Sequence, residues 1–340
     1  MKINSTYPLL VLCWMAWGCK NDLPEPSSGP YPLEVPEGFP LPFIPEDNAL
    51  TYERIALGKK LFYDPILSLD SSRSCASCHL PALAFSDSVA FSLGIENRLG
   101  TRNSPTLANV AYQKALLREG GIPTLEMQVL VPIQEHNEFD FNILVAGERM
   151  LADPEYVEMS MASYDREPDP YVITRAISAF ERTMISGESP FDLFYFQGKN
   201  SALSASQKRG WELFQSDRLN CSKCHEGFLF TSQGFANNGL YDDYPDPGRL
   251  RLTGEESDRA VFKIPTLRNI ALTAPYMHDG SLPDLESVLA HYETGGRPHV
   301  NKSVLVKPFS LTEQERADLL EFLQSLTDEA FLNNPAYAAP

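Results

Sequence analysis

The chain has 340 residues, of which 43% are hydrophobic and 21% are charged, a composition that suits one large or two medium globular domains and excludes a disordered protein. Its 28 lysine and arginine residues are outnumbered by 45 aspartate and glutamate residues, which gives a formal net charge of −17. Because so acidic a surface repels phosphate backbones, we expect no nucleic acid partner and favour a neutral or basic one. No apolar run reaches the roughly 18 residues of a membrane span.

The N-terminus has the pattern of an export signal. Lys2 and an apolar stretch ending at Trp17 predict a signal peptide over residues 1–18. The cysteine that follows, Cys19, resembles the acylated cysteine of bacterial lipoproteins, and plain secretion is the alternative. Residues 19–45 are rich in proline and predict a linker. We therefore expect an exported, periplasmic protein that touches a bacterial membrane only through a lipid anchor.

Two stretches of the chain share one plan. In the first, a Cys-x-x-Cys-His motif at 75–79 is followed by Pro-Thr-Leu-Ala-Asn at 105–109. In the second, the same motif at 221–225 is followed by Pro-Thr-Leu-Arg-Asn at 265–269. From residue 105 onward the matching residues keep a constant offset of 160 without gaps. We interpret this agreement as an internal duplication.

The duplicated plan predicts the domain organisation. We expect an N-terminal domain over residues 46–198, a C-terminal domain over residues 199–330 and a tail over residues 331–340. Each domain would be built around one Cys-x-x-Cys-His motif, so the chemistry of that motif would occur twice.

Helices dominate the predicted secondary structure. Apolar residues spaced by four from Val172 to Met184 predict a helix that closes the first half. Capping boxes at 204–207 and 312–315 predict the starts of two further helices. Strand-type alternation is scarce. The predicted fold class is therefore all-α, with long loops between the helices.

The Cys-x-x-Cys-His motif is a signature of covalent haem attachment, in which both thiols join the haem and the histidine ligates its iron. A zinc site or a redox disulfide is the alternative. One zinc site would have to join cysteine pairs that lie 146 residues apart, and it would leave both histidines without a role. We therefore predict cytochrome c-like domains with two c-type haems, held by Cys75, Cys78 and His79, and by Cys221, Cys224 and His225.

The sixth ligand of each haem iron decides its function. An iron whose sixth position is occupied by a protein ligand transfers electrons, whereas an iron with this position open can bind an oxidant. Four histidines lie outside the motifs and are not placed by the sequence alone: His136, His278, His291 and His299.

Segments around both motifs resemble the bacterial di-haem cytochrome c peroxidases and their MauG relatives. They are residues 61–79 and 102–107 in the first half and residues 265–280 in the second. The resemblance implies a peroxidatic haem in the N-terminal domain and an electron-transfer haem in the C-terminal domain. It also implies hydrogen peroxide as substrate, a small donor protein such as cytochrome c, and calcium between the domains; relatives often form homodimers.

The resemblance assigns roles to individual residues. Glu138 matches the family's catalytic distal glutamate, and Gln128 and Pro132 match residues that line the same pocket. A carboxylate above an open haem can take a proton from peroxide and return it to the departing oxygen. An exposed loop acid is the alternative for Glu138. Calcium would be bound by three residues through oxygen: Asn103, Thr273 and Pro275.

Three positions depart from the family pattern. Ile95 stands where many members carry a histidine that blocks the peroxidatic iron, so we expect this haem to be open without prior reduction. Tyr292 stands where the peroxidases ligate the second iron with methionine, and MauG uses a tyrosine there; His291 or Met277 is the alternative ligand. Arg118 replaces the tryptophan that commonly lies between the haems, and an arginine cannot be oxidised as an electron relay.

The sequence thus predicts an oxidoreductase, a di-haem cytochrome c peroxidase that reduces hydrogen peroxide to water. Two alternatives stay open. One is a MauG-like oxidase that withdraws electrons from residues of a partner protein, and the other is a di-haem electron carrier without chemistry of its own.

Overall fold

The computed structural model of the protein describes residues 28–340, so the predicted signal peptide and Cys19 lie outside the described residues. Most of the ordered secondary structure is helical, as predicted. The strands β1, Phe235–Ala236, and β2, Phe262–Lys263, pair antiparallel with Phe235 opposite Lys263. The α-helices α1 to α13 are, in chain order, Tyr52–Tyr63, Leu125–Gln128, Leu130–Gln134, Ile143–Leu151, Pro154–Tyr164, Pro170–Glu181, Pro190–Tyr195, Ala205–Gln215, Cys221–Cys224, Leu250–Thr253, Leu285–Glu293, Glu313–Gln324 and Glu329–Leu332.

Both predicted capping boxes are present. The Ser204 hydroxyl accepts from the Gln207 N–H at 3.1 Å at the start of α8, and the Thr312 hydroxyl accepts from the Glu315 N–H at 3.2 Å at the start of α12. The helix predicted from Val172 to Met184 is α6, which the Asp169 side chain caps. It ends at Glu181, so Met184 lies beyond it, although Met184 is still fully buried.

One pair of closely crossing helices organises each half of the chain, and a glycine makes each crossing possible. A Cβ atom on Gly58 of α1 would lie 1.9 Å from the carbonyl oxygen of Ala176 in α6. A Cβ atom on Gly210 of α8 would likewise lie 1.9 Å from the carbonyl oxygen of Asp318 in α12. Because only glycine lacks this atom, the two backbones can touch at both crossings.

The two halves have separate apolar cores. In the first half, α1 and α6 pack with α4 and α5 around residues such as Leu57, Leu61 and Ile173. In the second half the core combines leucines with a cluster of aromatic rings. Most of these rings contact one another edge-to-face or tilted, and Trp211 stacks on Phe214, at centroid distances of about 5 to 6 Å that favour aromatic pairs. The rings belong to Phe191, Trp211, Phe214, Phe230 and Phe322.

Both ends of the described chain pack against this body. Phe39, in the predicted linker, contacts the Phe228 ring at 4.7 Å. Phe331 and Tyr337, in the predicted tail, pack on Phe85 in the first half, with ring centroids 5.8 Å away in each case. Within residues 28–340, no helix is both long and apolar enough to cross a membrane.

Candidate active site

A single cavity borders both Cys-x-x-Cys-His motifs and takes residues from both halves of the chain. All residues of the predicted haem, catalytic and calcium sites border it, whereas Ile95 and the alternative ligand His291 do not. In addition to the six motif residues, those that border it are Asn103, Arg118, Gln128, Pro132, Glu138, Thr273, Pro275 and Tyr292. The fold therefore brings together residues that are up to 217 positions apart in the sequence.

Each motif folds as one tight helical turn. Residues Cys75–Ser77 form a 3-10 turn in which the Ser74 N–H donates to the Ser77 hydroxyl at 3.0 Å, and the second motif forms α9. The histidine N–H then donates back to the carbonyl of the first cysteine, at 3.0 Å in the first motif and 2.9 Å in the second. No disulfide joins the four motif cysteines, and burial raises the pKa of Cys78 to about 11.

The two motif histidines are oriented in the same way. Nδ1 of His79 lies 2.7 Å from the carbonyl oxygen of Phe85, and Nδ1 of His225 lies 3.2 Å from that of Phe230. A carbonyl only accepts, so Nδ1 carries the proton and Nε2 keeps a free lone pair, as a metal ligand requires. Burial lowers the pKa of both histidines, which keeps them neutral.

The carbonyls that hold these histidines belong to residues in a strained conformation. Phe85 has φ 60° and Phe230 has φ 51°, a left-handed region that costs a bulky residue of the order of 1 to 3 kcal/mol. Sequence reasoning missed both residues. The signal for them is a phenylalanine six residues after the first histidine and five residues after the second.

The Pro-Thr-Leu segments form hydrogen bonds to the loops that carry Phe85 and Phe230. The Thr106 hydroxyl donates to the carbonyl of Ala84, next to Phe85, and the Thr266 hydroxyl donates to the carbonyl of Leu229, next to Phe230, at 2.6 Å. The same hydrogen bond thus recurs in both halves, which gives a physical role to residues that the sequence analysis used only as markers.

The residues that border the cavity fit covalently attached haem. The thiols and the neutral imidazoles supply the attachment and the axial nitrogen, and much of the remaining lining is apolar, for example Leu107, Ile177 and Leu289. Glu181 also borders it, and its buried Oε2 has no hydrogen-bond partner among the described residues. Burial raises the pKa of Glu181 to about 8, so this acid can stay neutral beside an apolar group.

Glu138 stands in the loop that follows α3, beside Gln128 and Pro132 at the cavity. The loop is fixed through its backbone, since the Glu138 N–H donates to the Glu135 carbonyl and the Ile95 N–H donates to the Glu138 carbonyl, both at 2.9 Å. The residue is exposed where it borders the cavity, and the protein groups around its carboxyl reduce its access to bulk water. Burial, with a smaller contribution from Glu135, raises its pKa to about 7. A carboxyl group with this pKa can accept or donate a proton near neutral pH.

Tyr292 lies near the end of α11, and burial raises the pKa of its phenol to about 12. Of the two alternative ligands, Met277 also borders the cavity, and its sulfur accepts from the Asn238 amide at 3.1 Å. His291 does not border it, and its Nε2 is 3.1 Å from the Asn238 carbonyl oxygen. Tyr292 and Met277 are therefore the two candidates with access to this space.

The other histidines are engaged elsewhere. His136 is exposed and pairs with Asp140 at 3.0 Å, and Nδ1 of His299 accepts from the Asn301 N–H at 3.1 Å. His278 borders the cavity, but its ring stacks on Phe262 at a centroid distance of 4.1 Å.

Arg118 contacts the first of the residues predicted to bind calcium. Its Nη2 donates to the side-chain oxygen of Asn103 at 2.6 Å, and its Nε donates to the Asn103 carbonyl at 3.1 Å. Among residues 28–340, no cluster of three or more histidine, cysteine or acidic side chains is arranged to hold a metal ion. Both oxygens of Asn103 thus already face a positive charge.

The family of the protein follows from this site and from sequence comparison. The family model for di-haem cytochrome c peroxidases matches residues 52–201. The chain is 38% identical over 298 residues to the methylamine utilization protein MauG of Methylorubrum extorquens, covering 86% of this chain and 83% of MauG. It belongs to the di-haem cytochrome c peroxidase family, whose members carry c-type haems, and it is an oxidoreductase.

Two further comparisons each cover more than nine-tenths of the chain. The cytochrome-c peroxidase IdrP1 of Denitromonas iodatirespirans is 34% identical over 368 residues, covering 96% of this chain and 93% of IdrP1. The crystal structure of a MauG-like protein associated with microbial copper homeostasis superposes with a TM-score of 0.86 at 34% identity, covering 91% of this chain and 99% of that one. The chain is thus similar to proteins named as peroxidases and to proteins named after MauG.

Proposed function

We propose that the protein is a peroxidase that reduces hydrogen peroxide to water with electrons from a small redox protein such as cytochrome c. The observation that carries this proposal is Glu138, a carboxyl group with a pKa of about 7 at the cavity that also contains His79. When bound through Cys75, Cys78 and His79, haem would supply the iron that takes peroxide oxygen and passes electrons. The chain's own residues would then move the protons.

Glu138 is the proton-transfer group in this proposal. Its carboxylate accepts the proton that peroxide loses on binding and later donates it to the departing oxygen, so the same atom serves as base and then as acid. Gln128 contributes an amide that can orient peroxide by hydrogen bonding, and Pro132, which has no N–H, adds apolar lining. The His79 ring is held in one orientation because its Nδ1–H donates to the Phe85 carbonyl oxygen, which would leave Nε2 free to ligate the haem iron.

We infer that the first haem is open to peroxide without prior reduction. Ile95 is fully buried, does not border the cavity and cannot ligate iron. The nearby His136 is exposed and paired with Asp140. Neither residue is placed to close the site.

For the second haem, attached through Cys221, Cys224 and His225, we propose Tyr292 as the distal ligand. A phenolate is a hard, anionic donor that favours ferric iron, so it would lower the reduction potential relative to the thioether of Met277. This ligand also supports the second candidate function, a MauG-like oxidation of residues in a partner protein. Arg118 argues against it, because arginine cannot serve as a relay for electrons.

The remaining features of the proposal rest on sequence pattern. We propose domains over 46–198 and 199–330 that arose by internal duplication, which the recurring histidine and threonine hydrogen bonds support. A periplasmic location and a lipid anchor at Cys19 rest on the leader sequence, and a homodimer rests on the resemblance alone. Calcium stays a prediction, and the guanidinium on Asn103 disfavours it because a divalent cation there would be repelled.

One assay separates the two candidate functions. The purified holoprotein is mixed with peroxide, with and without reduced cytochrome c, while the spectra of the haems and of the donor are followed. Rapid oxidation of the donor supports the peroxidase. A long-lived change in the haem spectra without turnover of the donor supports the MauG-like oxidase. No reaction with peroxide contradicts both.

Gly94 positions the catalytic loop, and its replacement tests that arrangement. A Cβ atom on Gly94 would lie 2.1 Å from the Asn137 carbonyl oxygen and 2.6 Å from that of Glu138, so Gly94→Ala must displace this loop. We expect peroxide turnover to fall by roughly 10- to 100-fold, because displacements of about 1 Å can cost 10²-fold. Gly100→Ala is the control, since its Cβ would meet nothing closer than 3.5 Å. Equal turnover in both variants would contradict this role.

A further inference from the structure

Two cations, Arg118 and Lys263, stand side by side at the cavity that borders both motifs. They belong to adjacent backbone segments, because the Lys263 N–H donates to the Arg118 carbonyl oxygen at 2.7 Å. Burial and the neighbouring charge of Arg118 lower the pKa of Lys263 to about 8. Both side chains are half-buried where they border the cavity, so they form one region of positive charge there.

The partners of these two cations are neutral. Arg118 donates to the carbonyl and side-chain oxygens of Asn103. The Lys263 ammonium donates to the Gln113 side chain at 3.2 Å and to the Ala115 carbonyl at 3.0 Å. Among the residues from 28 onward, no carboxylate lies within 4.0 Å of either charge. Both cations are thus hydrogen bonded without a counter-ion.

The other charged groups nearby already have partners. Arg102 pairs with Glu119 and with Asp246, the latter at 2.6 Å, and Arg251 pairs with Glu119 at 2.7 Å. The two acids that favour the charged form of Arg118 from further away are also engaged. Asp87 accepts from the Ser92 hydroxyl, and Asp279 accepts from the Tyr241 hydroxyl at 2.5 Å. None of these acids neutralises Arg118 or Lys263 directly, so an anionic group that fills the cavity can supply the negative charge that the two cations lack.

We propose that Arg118 and Lys263 together bind the propionate carboxylates of the haems. Buried charges are stable only when they are paired, and a carboxylate matches both the guanidinium fork and the ammonium group. The inference rests on the proposed haem attachment at the two motifs. Arg118 stands where relatives commonly have a tryptophan that relays electrons. In this proposal Arg118 instead acts as the counter-ion of a haem propionate.

Redox titration of the holoprotein tests this proposal. A fixed cation beside a haem stabilises the reduced iron, so removal of the cation lowers the reduction potential. We expect Arg118→Gln and Lys263→Met each to lower the midpoint potential of at least one haem by about 59 mV, which is a tenfold change in the one-electron equilibrium constant. Arg118→Lys, which keeps the charge, should recover most of this shift. Lys208→Met removes a half-buried lysine that does not border the cavity and should leave both potentials unchanged.

Haem content is measured first, as the absorbance of each variant after complete reduction in pyridine. Wild-type protein without two haems would overturn the proposed attachment and, with it, this inference. Variants with two haems but with wild-type potentials would overturn the inference alone and leave the peroxidase proposal intact. If Arg118→Gln fails to fold, Lys263→Met and Arg118→Lys decide the outcome by the same measurement.

Discussion

Replacing Glu138 with glutamine is expected to slow donor oxidation by peroxide by about 10²- to 10⁴-fold, the contribution that a positioned general acid–base typically makes. Glutamine has nearly the same shape but neither accepts nor donates the proton. Haem content should be unchanged, because Glu138 is fixed through its backbone to Glu135 and Ile95 rather than through its carboxylate. The measurement is the initial rate of cytochrome c oxidation at fixed peroxide concentration.

The pH dependence of the same reaction gives an independent test. Burial raises the pKa of Glu138 to about 7, and only the unprotonated carboxylate can accept the peroxide proton. The wild-type rate should therefore rise as the pH passes upward through about 7, and this rise should be absent in Glu138→Gln. Glu148→Gln, which changes an exposed acid on α4, is the control and should behave like wild type. A Glu138→Gln variant with a wild-type rate would exclude the proposed proton transfer.

Arg268→Met is expected to lower the free energy of unfolding by about 3 to 5 kcal/mol, the cost of breaking a buried ion pair on one side. The Arg268 guanidinium contacts Asp192 at 2.6 Å and 2.8 Å, and neither side chain is more than 1% exposed. The variant would leave the Asp192 carboxylate buried without its cation. Arg268 also donates to the Phe228 carbonyl at 2.6 Å, so its loss loosens the loop that carries Phe230.

Urea unfolding of the holoproteins measures this effect. The control is Arg259→Met, which breaks the exposed ion pair between Arg259 and Glu256 and should cost no more than about 1 kcal/mol. A second readout is the absorbance of the haem that we propose His225 ligates, which should change in Arg268→Met and not in the control. Equal stabilities for the two variants would show that the buried pair contributes no more than a surface pair.

Local sequence patterns predicted the parts of this protein that depend on neighbouring residues. The capping boxes at Ser204 and Thr312 and the helical fold class are confirmed because caps and amphipathic spacing are local signals. The family was predicted because the segments at 61–79, 102–107 and 265–280 around the two motifs resemble its members, and the sequence comparisons confirm it. The end of α6 was less well predicted, since Met184 continues the apolar spacing after the helix has ended at Glu181.

Residues that act across the fold left no comparable signal. Phe85 and Phe230 orient the motif histidines through their main-chain carbonyls. A phenylalanine recurs after each motif, but the type of side chain does not indicate a role of the main chain. The sequence around Lys263 contains no pattern that indicates a site. Only the fold shows that this lysine lies beside Arg118. Glu138, Gln128 and Tyr292 were found only through resemblance, because an isolated acid, amide or phenol in a loop or helix is common. Their roles stay predictions until the variants are measured.

The packing of Phe331 and Tyr337 on the first half has a consequence for the order in which the fold is completed. Phe331 and Tyr337 complete the core around Phe85, and the Tyr337 hydroxyl donates to the Thr183 carbonyl. Because synthesis begins at the N-terminus, the Cys-x-x-Cys-His motif at 75–79 is made some 250 residues before these two side chains. The part of the first-half core around Phe85 is therefore complete only once Phe331 and Tyr337 are present, whereas the part around Leu57 and Leu61 uses no residue of the tail.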